Sequence, residues 1–279
     1  MEQPKKIAIQ GVAGAFHEVA AQKYFGKSIV AVECDTFREL ARKLAAGEVD
    51  FAVMAIENTI AGTLLPNYSL INEFGLKVVG EVYLHIKMQL MALPGVQLPQ
   101  VAYIHSHPIA IAQCREFLDA LPPTVTVIEK NDTAESAQLI VKNKLANTAA
   151  IAGMLAAEMY GLHVIAKDIH TCKQNFTRFL ALSRTPCQSG QHNKASICLE
   201  VAHRSGSLAA VLGVWAKHGV NLTKIQSVPI IGKPYQYSFY IDLEWNDSAA
   251  YHRAMDELAL HTTRLHLLGE YMRDKWEEN

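Results

Sequence analysis

Short apolar runs alternate with helix-like patterns through the first two thirds of the chain. The run at 51–56 has hydrophobic residues on both alternating faces, which is typical of a strand buried in a parallel sheet. Because strands and helices follow one another in this way, the pattern predicts an α/β fold. The predicted strands are 6–10, 51–56, 101–104, 149–152 and 179–182, and the predicted helices are 16–25, 36–46, 108–121, 133–144 and 155–160.

The order of elements changes after a polar segment at 184–194. This segment contains Pro186 and Gly190 and has no hydrophobic periodicity, so we interpret its centre, 185–193, as a linker. The elements beyond it follow the order βαββαβ, the split βαβ arrangement. We therefore predict one domain at 1–184 and a second, α+β domain at 194–279. The strands of the second domain are 195–201, 220–231, 237–244 and 265–271, and its helices are 206–218 and 248–261.

Charge and cysteine content narrow the class of protein. The chain has 279 residues and a formal net charge of −1, which gives no basic surface for nucleic acid or an anionic membrane. Its five cysteines form no CxxC pair, so a zinc ribbon or a redox dithiol is not predicted. We see neither a signal peptide nor a membrane-length apolar run. These features together predict a cytoplasmic protein.

Polar residues follow several of the predicted strands, where ligands bind in open α/β sheets. Gly11 and Gly14 follow the first strand and could let backbone N–H groups approach a ligand, although a tight turn without function explains them equally well. Glu57 and Asn58 follow the buried strand, and Asn58 could also be a simple cap.

Two further loops carry similar chemistry. Pro108 suits the first turn of a helix, with Ser106 or His107 as its cap, and this arrangement can hold an anion. Gln113 borders the apolar stripe of that helix and could bind a ligand or a backbone group. The two histidines of the loop lack a carboxylate partner, so no metal site is predicted. The segment 175–179, which includes Arg178, could hold a planar anion or form an ordinary edge strand. These groups fit a small carboxylic acid better than a nucleotide.

Six stretches follow one another along the chain: GVAGAF, AIENTIAGT, IHSHPIAIAQC, NDTAESA, AAIAGMLAAEMYGL and NFTRF. In this order they resemble prephenate dehydratase, and the resemblance covers nearly the whole chain. The tail, from 194 to about 273, resembles an ACT domain. The resemblance implies a two-lobed catalytic domain like type II periplasmic binding proteins, followed by a ferredoxin-like βαββαβ domain. It also implies conversion of prephenate to phenylpyruvate, water and carbon dioxide by a carbon–oxygen lyase that uses no cofactor.

The resemblance also assigns roles to residues. Thr177 would hydrogen-bond the leaving oxygen. A relay or an ordered water would help to supply the proton, because a threonine hydroxyl is too weak an acid to donate one unaided. Glu57 could belong to that relay or stay ionised and orient Asn58, and the sequence leaves both open. Arg178 is expected to hold the pyruvyl carboxylate. The catalytic residues are thus expected to be Thr177, Glu57 and Asn58, and the substrate-binding residues Arg178, Ser106, Gln113, Gly11, Gly14, Phe16 and Phe179.

Some positions depart from the family pattern. Val12 and His17 stand where Pro and Ser are usual, and Met88-Gln89 stands where a histidine is common. In the ACT-like tail, the effector motifs GALV and ESRP are replaced by GSLA and QSVP, with Gln226 and Val228 at the charged positions. We therefore expect a homodimer or homotetramer with a weakened response to L-phenylalanine. The expected effector residues are Gly206, Ser207, Leu208, Gln226 and Ser227.

Two alternatives to prephenate dehydratase remain open. Arogenate dehydratase carries out the same chemistry on the amino analogue, and the sequence does not separate the two. A non-catalytic protein that binds a small acid in the two-lobed cleft is the alternative from another class. A purely regulatory ACT protein is disfavoured by the large N-terminal part.

Overall fold

The computed structural model describes residues 3–187 and 190–274. As far as its residues are described, the chain divides into two compact units, Met1–Leu64 with Val82–Phe179 and Leu65–Glu81 with Leu180–Asn279. The domain limits predicted at 184 and 194 stay a prediction.

In chain order the elements are β1 Lys5–Gln10, α1 Phe16–Phe25, β2 Ile29–Cys34, α2 Phe37–Ala45, β3 Phe51–Asn58, β4 Gly62–Thr63, α3 Leu65–Glu73, β5 Lys77–His85, β6 Gln89–Ala92, β7 Tyr103–Ser106, α4 Pro108–Gln113, α5 Arg115–Asp119, β8 Thr126–Glu129, α6 Thr133–Lys142, β9 Thr148–Ala152, α7 Met154–Tyr160, β10 His163–Ala166, β11 Phe176–Ser183, β12 Lys194–Glu200, α8 Ser207–His218, β13 Asn221–Pro229, β14 Tyr237–Glu244, α9 Ser248–Leu258 and β15 Arg264–Tyr271.

The first two sheets form the two lobes that the resemblance implied. One sheet has the strand order β2-β1-β3-β11-β5, with β4 paired to β3, and the other has the order β10-β6-β9-β7-β8. The apolar strand β3 pairs in parallel with β1, as its two hydrophobic faces predicted. In the second sheet, β7 is parallel to both neighbours, whereas β6 is antiparallel to β9 and β10.

Side-chain caps fix where two helices of these lobes begin. The Thr36 hydroxyl accepts the Glu39 N–H at 3.1 Å ahead of α2, and the Asp132 carboxylate accepts the Glu135 N–H at 2.9 Å ahead of α6. Both caps follow a strand directly, β2 and β8 respectively. The starts of these helices therefore lie near the carboxyl ends of strands, where ligands bind in such sheets.

The helix predicted at 108–121 is wrong as a single element. The structure divides it at Cys114, whose backbone leaves the helical region with φ −108° and ψ 21°. The Cys114 N–H bonds to the Ile111 carbonyl three residues back, which tightens and ends α4 before α5 starts. Of the two residues predicted as the cap of this helix, Ser106 and His107, the cap is His107, whose side chain accepts the Ile109 N–H at 3.2 Å.

The predicted βαββαβ order of the C-terminal part is confirmed. Its four strands form an antiparallel sheet in the order β13-β14-β12-β15, with α8 and α9 as the two helices. Apolar side chains of β12, including Ile197 and Leu199, pack in one core with Trp215 of α8 and Tyr251 of α9. The predicted fold class, a two-lobed α/β part followed by a smaller α+β domain, is therefore confirmed.

Among the described helices, none is long and apolar enough to cross a membrane.

Candidate active site

A cavity of about 610 Å³ lies in the first unit, with wall residues from both lobes. Residues at the starts of α1, α2, α4 and α6 form much of its wall. The polar residues that line it are Gln10, His17, Asp35, Thr36, Asn58, His107, Gln113, Asn131, Asp132, Thr133 and Thr177. Phe16, Phe37 and Phe179 supply aromatic surface. Apolar walls with a few fixed polar groups are what a small-molecule site requires.

Asn58 is held in one orientation by the backbone. Its Oδ1 accepts the N–H groups of Ile60 at 2.9 Å and Ala61 at 2.8 Å. Its Nδ2 must therefore face the other way. There its two hydrogens serve three acceptors, so one hydrogen is shared: Asn175 Oδ1 at 2.8 Å, Thr177 Oγ1 at 3.0 Å and the Phe176 carbonyl at 3.2 Å. The capping role that we left open for Asn58 is thus present, and it serves to aim the amide at Thr177.

This orientation decides what the Thr177 hydroxyl can do. The hydroxyl oxygen accepts a hydrogen bond from Asn58, so its proton is left to donate. Within the described part of the chain, no acceptor is bonded to that proton. Since Thr177 lines the cavity and is only 9% exposed, its O–H is available to donate to a bound molecule.

The same chain of amides reaches the second lobe through Asn175. Its Oδ1 accepts from Asn58 Nδ2 at 2.8 Å, which turns its own Nδ2 toward Gln113 Oε1 at 3.0 Å. Asn175 is fully buried, so both bonds are shielded from water. Gln113 therefore keeps its Nε2 group to donate into the cavity. The backbone at Ile60 and Ala61 thus fixes the direction of every bond as far as Gln113.

The N–H groups of Gly11 and Gly14, which the sequence offered as ligand donors, are bonded within the protein. The Gly11 N–H donates to the Cys34 carbonyl at 2.9 Å, and the Gly14 N–H donates to Glu18 Oε2 at 2.7 Å. Both glycines have positive φ, +94° and +86°, and neither lines the cavity. They permit close packing instead, because a Cβ at Gly11 would lie 2.8 Å from Asp132 Oδ2.

We expect Gly11→Ala to destabilise the protein by about 1–3 kcal/mol, since it combines a disfavoured φ with that close contact. Urea unfolding monitored by circular dichroism gives the free energy of unfolding. Gly95→Ala is the matched control, because Gly95 has φ +88° and nothing within 4 Å of the added Cβ. Equal losses in the two variants would show that the contact with Asp132 contributes nothing.

Three other expected site residues lie off the cavity wall. Ser106 is fully buried and donates its hydroxyl to the Ile151 carbonyl at 2.7 Å. Arg178 is 3% exposed, with its guanidinium 5.9 Å from the centre of the Tyr83 ring. Glu57 is half-buried and is also absent from the wall. Arg178 and Glu57 each adjoin a lining residue on a strand, and successive side chains of a strand point to opposite faces.

Sequence reasoning missed Asp35, Thr36 and Asp132. They follow β2 and β8, two strands that we did not predict. Ligands bind beyond the carboxyl ends of strands in such sheets, so recognising these two strands would have selected these residues. Burial raises the pKa of Asp132, although hydrogen bonds from the Glu135 and Ala134 N–H groups partly oppose it. The structure also adds His17, which the sequence marked only as a departure from the family pattern.

The effector residues expected in the C-terminal part lie on two of its elements. Gly206 caps α8 with φ +83°, and Ser207 and Leu208 begin that helix. The Ser207 hydroxyl is buried without a hydrogen-bond partner among the described residues. Gln226 and Ser227 lie on β13, which is an edge strand of the four-stranded sheet. Gln226 donates to the Ser227 carbonyl at 3.1 Å.

Two curated relatives are similar over nearly all of this chain. A bifunctional chorismate mutase/prephenate dehydratase from Aquifex aeolicus (strain VF5) is 32% identical, across 100% of this chain and 76% of that protein. Arogenate dehydratase/prephenate dehydratase 2, chloroplastic, from Arabidopsis thaliana is 36% identical, across 96% of this chain and 73% of that protein.

Two solved structures are also similar. GqqA, described as a novel type of quorum quenching acylase, has a TM-score of 0.88 and 29% identity, covering 97% of this chain and 98% of that one. A prephenate dehydratase from Arthrobacter aurescens in complex with L-Phe has a TM-score of 0.85 and 28% identity, covering 96% and 90%.

The family model for prephenate dehydratase matches residues 7–187, which include the glycine loop and every residue that lines the cavity. This match spans more than half of the chain, and the Aquifex relative aligns with all of it. The chain therefore belongs to the prephenate dehydratase family.

Proposed function

We propose that the chain is a hydro-lyase that converts prephenate to phenylpyruvate, for the synthesis of phenylalanine. The observation that carries this proposal is the Thr177 hydroxyl. It accepts from Asn58, directs its proton into a cavity of a size for one small molecule, and lies on an aromatic wall. A donor held in this way suits a substrate that must lose a ring hydroxyl.

The reaction needs little more than assistance to the leaving group. The bond between the ring and its hydroxyl breaks, and the bond to the ring carboxylate breaks with it. The electron pair of the second bond enters the ring, which becomes aromatic, while carbon dioxide departs. The hydroxyl takes up a proton and leaves as water. Thr177 stabilises the developing negative charge on that oxygen by hydrogen bonding, and an ordered water supplies the proton.

Backbone amides replace Arg178 as the ligand of a substrate carboxylate in this proposal. No Lys or Arg lines the described cavity. The cap residue of α1, Ala15, has no side-chain acceptor, and no described acceptor bonds to the N–H groups of Phe16 or His17. These amides stand at the positive end of a ten-residue helix in the cavity wall, and such an end binds anions. The Gln113 Nε2 group adds a neutral donor.

The activity is tested by adding prephenate to the purified chain and following the absorbance of phenylpyruvate. A parallel assay with arogenate follows the release of phenylalanine. Turnover of either substrate establishes a dehydratase, and their relative kcat/KM values assign the preference. Binding of both acids by calorimetry without any product would support the non-catalytic binding protein instead.

We propose that the C-terminal βαββαβ part is an ACT domain. An antiparallel sheet with β13 and β15 as its edges supports this, since an edge strand can pair with a second copy. A homodimer or homotetramer in the cytoplasm remains part of this proposal. Analytical ultracentrifugation of the full chain measures the oligomeric state directly.

L-Phenylalanine at its usual cellular level is expected to inhibit the chain only weakly, because Gln226 and Val228 lack the charges expected to hold an amino acid. Activity assays across a phenylalanine titration check this. The variant with both Gln226→Glu and Val228→Arg should bind phenylalanine more tightly in calorimetry. Strong inhibition of the unmodified chain would contradict the weakened response.

A further inference from the structure

His17 lies in the cavity wall between two aromatic rings. It is the second residue of α1 and lines the cavity, with only 9% of its surface exposed. The Phe37 ring lies 5.5 Å from the imidazole, and the Phe179 ring meets it edge-on at 5.0 Å between centroids. A polar ring so enclosed would be costly unless its nitrogens found partners.

The backbone decides which nitrogen of His17 carries the hydrogen. The Ala55 N–H donates to Nε2 at 3.3 Å, so Nε2 presents its lone pair and Nδ1 holds the hydrogen of the neutral ring. Burial alone lowers the pKa of His17 to about 3, so the ring stays neutral across the pH range of an assay. Throughout the described ranges, no acceptor is bonded to this Nδ1–H group.

We propose that His17 makes the cavity select the keto acid prephenate over the amino acid arogenate, by donating its Nδ1–H to the keto oxygen of the substrate side chain. This inference rests on the dehydratase activity proposed above. A keto oxygen accepts a hydrogen bond, so it would supply the acceptor for the Nδ1–H group of His17. An ammonium group can only donate, and it would face another donor between two aromatic rings.

The positions of Thr177 and Phe179 place the side chain of the substrate beside His17. They are two residues apart on β11 and point to the same face, so they are about 7 Å apart along the strand. The ring hydroxyl of the substrate and its side chain leave from opposite ends of the six-membered ring. With the hydroxyl at Thr177, the side chain therefore extends toward Phe179 and the imidazole that contacts it.

The two aspartates of the cavity wall do not supply a counter-charge for an ammonium group beside His17. Asp35 and Asp132 line the cavity, yet neither contributes to the shifted pKa of His17, which desolvation alone explains. Asp132 is engaged with the N–H groups at the start of α6. An ammonium group beside His17 would thus lose its hydration without gaining a carboxylate.

The test compares kcat/KM for prephenate and arogenate in the unmodified chain, His17→Phe and His17→Asn. The unmodified chain should prefer prephenate. His17→Phe keeps an aromatic ring but loses the donor, and should lower kcat/KM for prephenate about tenfold, the effect of one neutral hydrogen bond, without lowering it for arogenate. His17→Asn can place an amide N–H where Nδ1 was, and should keep most of the preference. Loss of folding would lower kcat/KM for both substrates together. The ratio of the two kcat/KM values therefore separates a loss of folding from a loss of selectivity.

An unchanged ratio in His17→Phe, or an unmodified chain that prefers arogenate, would overturn the role of His17 and leave the dehydratase function intact. If the chain turned over neither substrate, both the role of His17 and the dehydratase function would be wrong. A second measurement needs no variant: phenylpyruvate should compete with substrate for the cavity more tightly than phenylalanine does. Tighter competitive inhibition by phenylalanine would also overturn the inference.

Discussion

Replacing Thr177 with Val is expected to lower kcat by about a hundredfold or more, which is the usual effect of losing one donor to a developing negative charge. Valine has nearly the same shape, so the aromatic wall stays filled. Asn58 Nδ2 keeps two acceptors after the change, Asn175 Oδ1 and the Phe176 carbonyl, and is not orphaned. The loss should therefore fall on turnover with little change in the unfolding temperature.

Steady-state assays and thermal unfolding of the same preparation separate these effects. Thr177→Ser is the matched control, because it keeps the hydroxyl and its bond from Asn58, and it should retain most of the activity. Near-normal turnover in Thr177→Val would remove Thr177 from the reaction. Equal losses in the Val and Ser variants would show that shape, and not the hydroxyl, matters at this position.

Replacing Asn58 with Asp should also lower kcat by about a hundredfold or more, through loss of the aimed hydroxyl. The carboxylate can still accept the Ile60 and Ala61 N–H groups, but its second oxygen would face Asn175 Oδ1 and Thr177 Oγ1, where a donor is required. Either Thr177 rotates to donate to the carboxylate, or a buried charge faces other acceptors. The first outcome takes the Thr177 proton away from the substrate, and the second removes the hydrogen bond from Asn58 that orients the hydroxyl.

The pH dependence of this variant gives a sharper test. Protonation supplies the new carboxyl group with one O–H donor, so residual activity should rise as the pH falls. Asn147→Asp adds the same charge at an exposed position outside the cavity wall and should change neither kcat nor the unfolding temperature. If Asn58→Asp were as active as the control at every pH, the amide would not direct Thr177.

The amino-acid sequence by itself determined the local elements and the kind of chemistry. The apolar run at 51–56 fixed a buried parallel strand, because only a sheet covered on both faces tolerates such a run. The βαββαβ order followed from hydrophobic periodicity in the same way. Of the polar residues that the sequence singled out, Asn58, Gln113 and Thr177 line the cavity.

Only the tertiary structure decided which neighbour of each pair reaches the cavity. Period-two alternation shows that Thr177 and Arg178, or Asn58 and Glu57, point to opposite faces, but it does not show which face borders the cavity. That choice depends on pairings between strands far apart in the chain. The N–H groups of Gly14 and Gly11 likewise donate to Glu18 and Cys34. The spacing of residues in the sequence does not predict either partner.

The direction of the hydrogen bonds also required the folded chain. Asn58, Asn175 and Gln113 are separated by up to 117 residues, and each amide could point either way in isolation. The Ile60 and Ala61 N–H groups remove that freedom for Asn58, and the rest follows by pairing donors with acceptors. The sequence supplied a hydroxyl and three amides, and the long-range contacts gave each of these side chains one orientation.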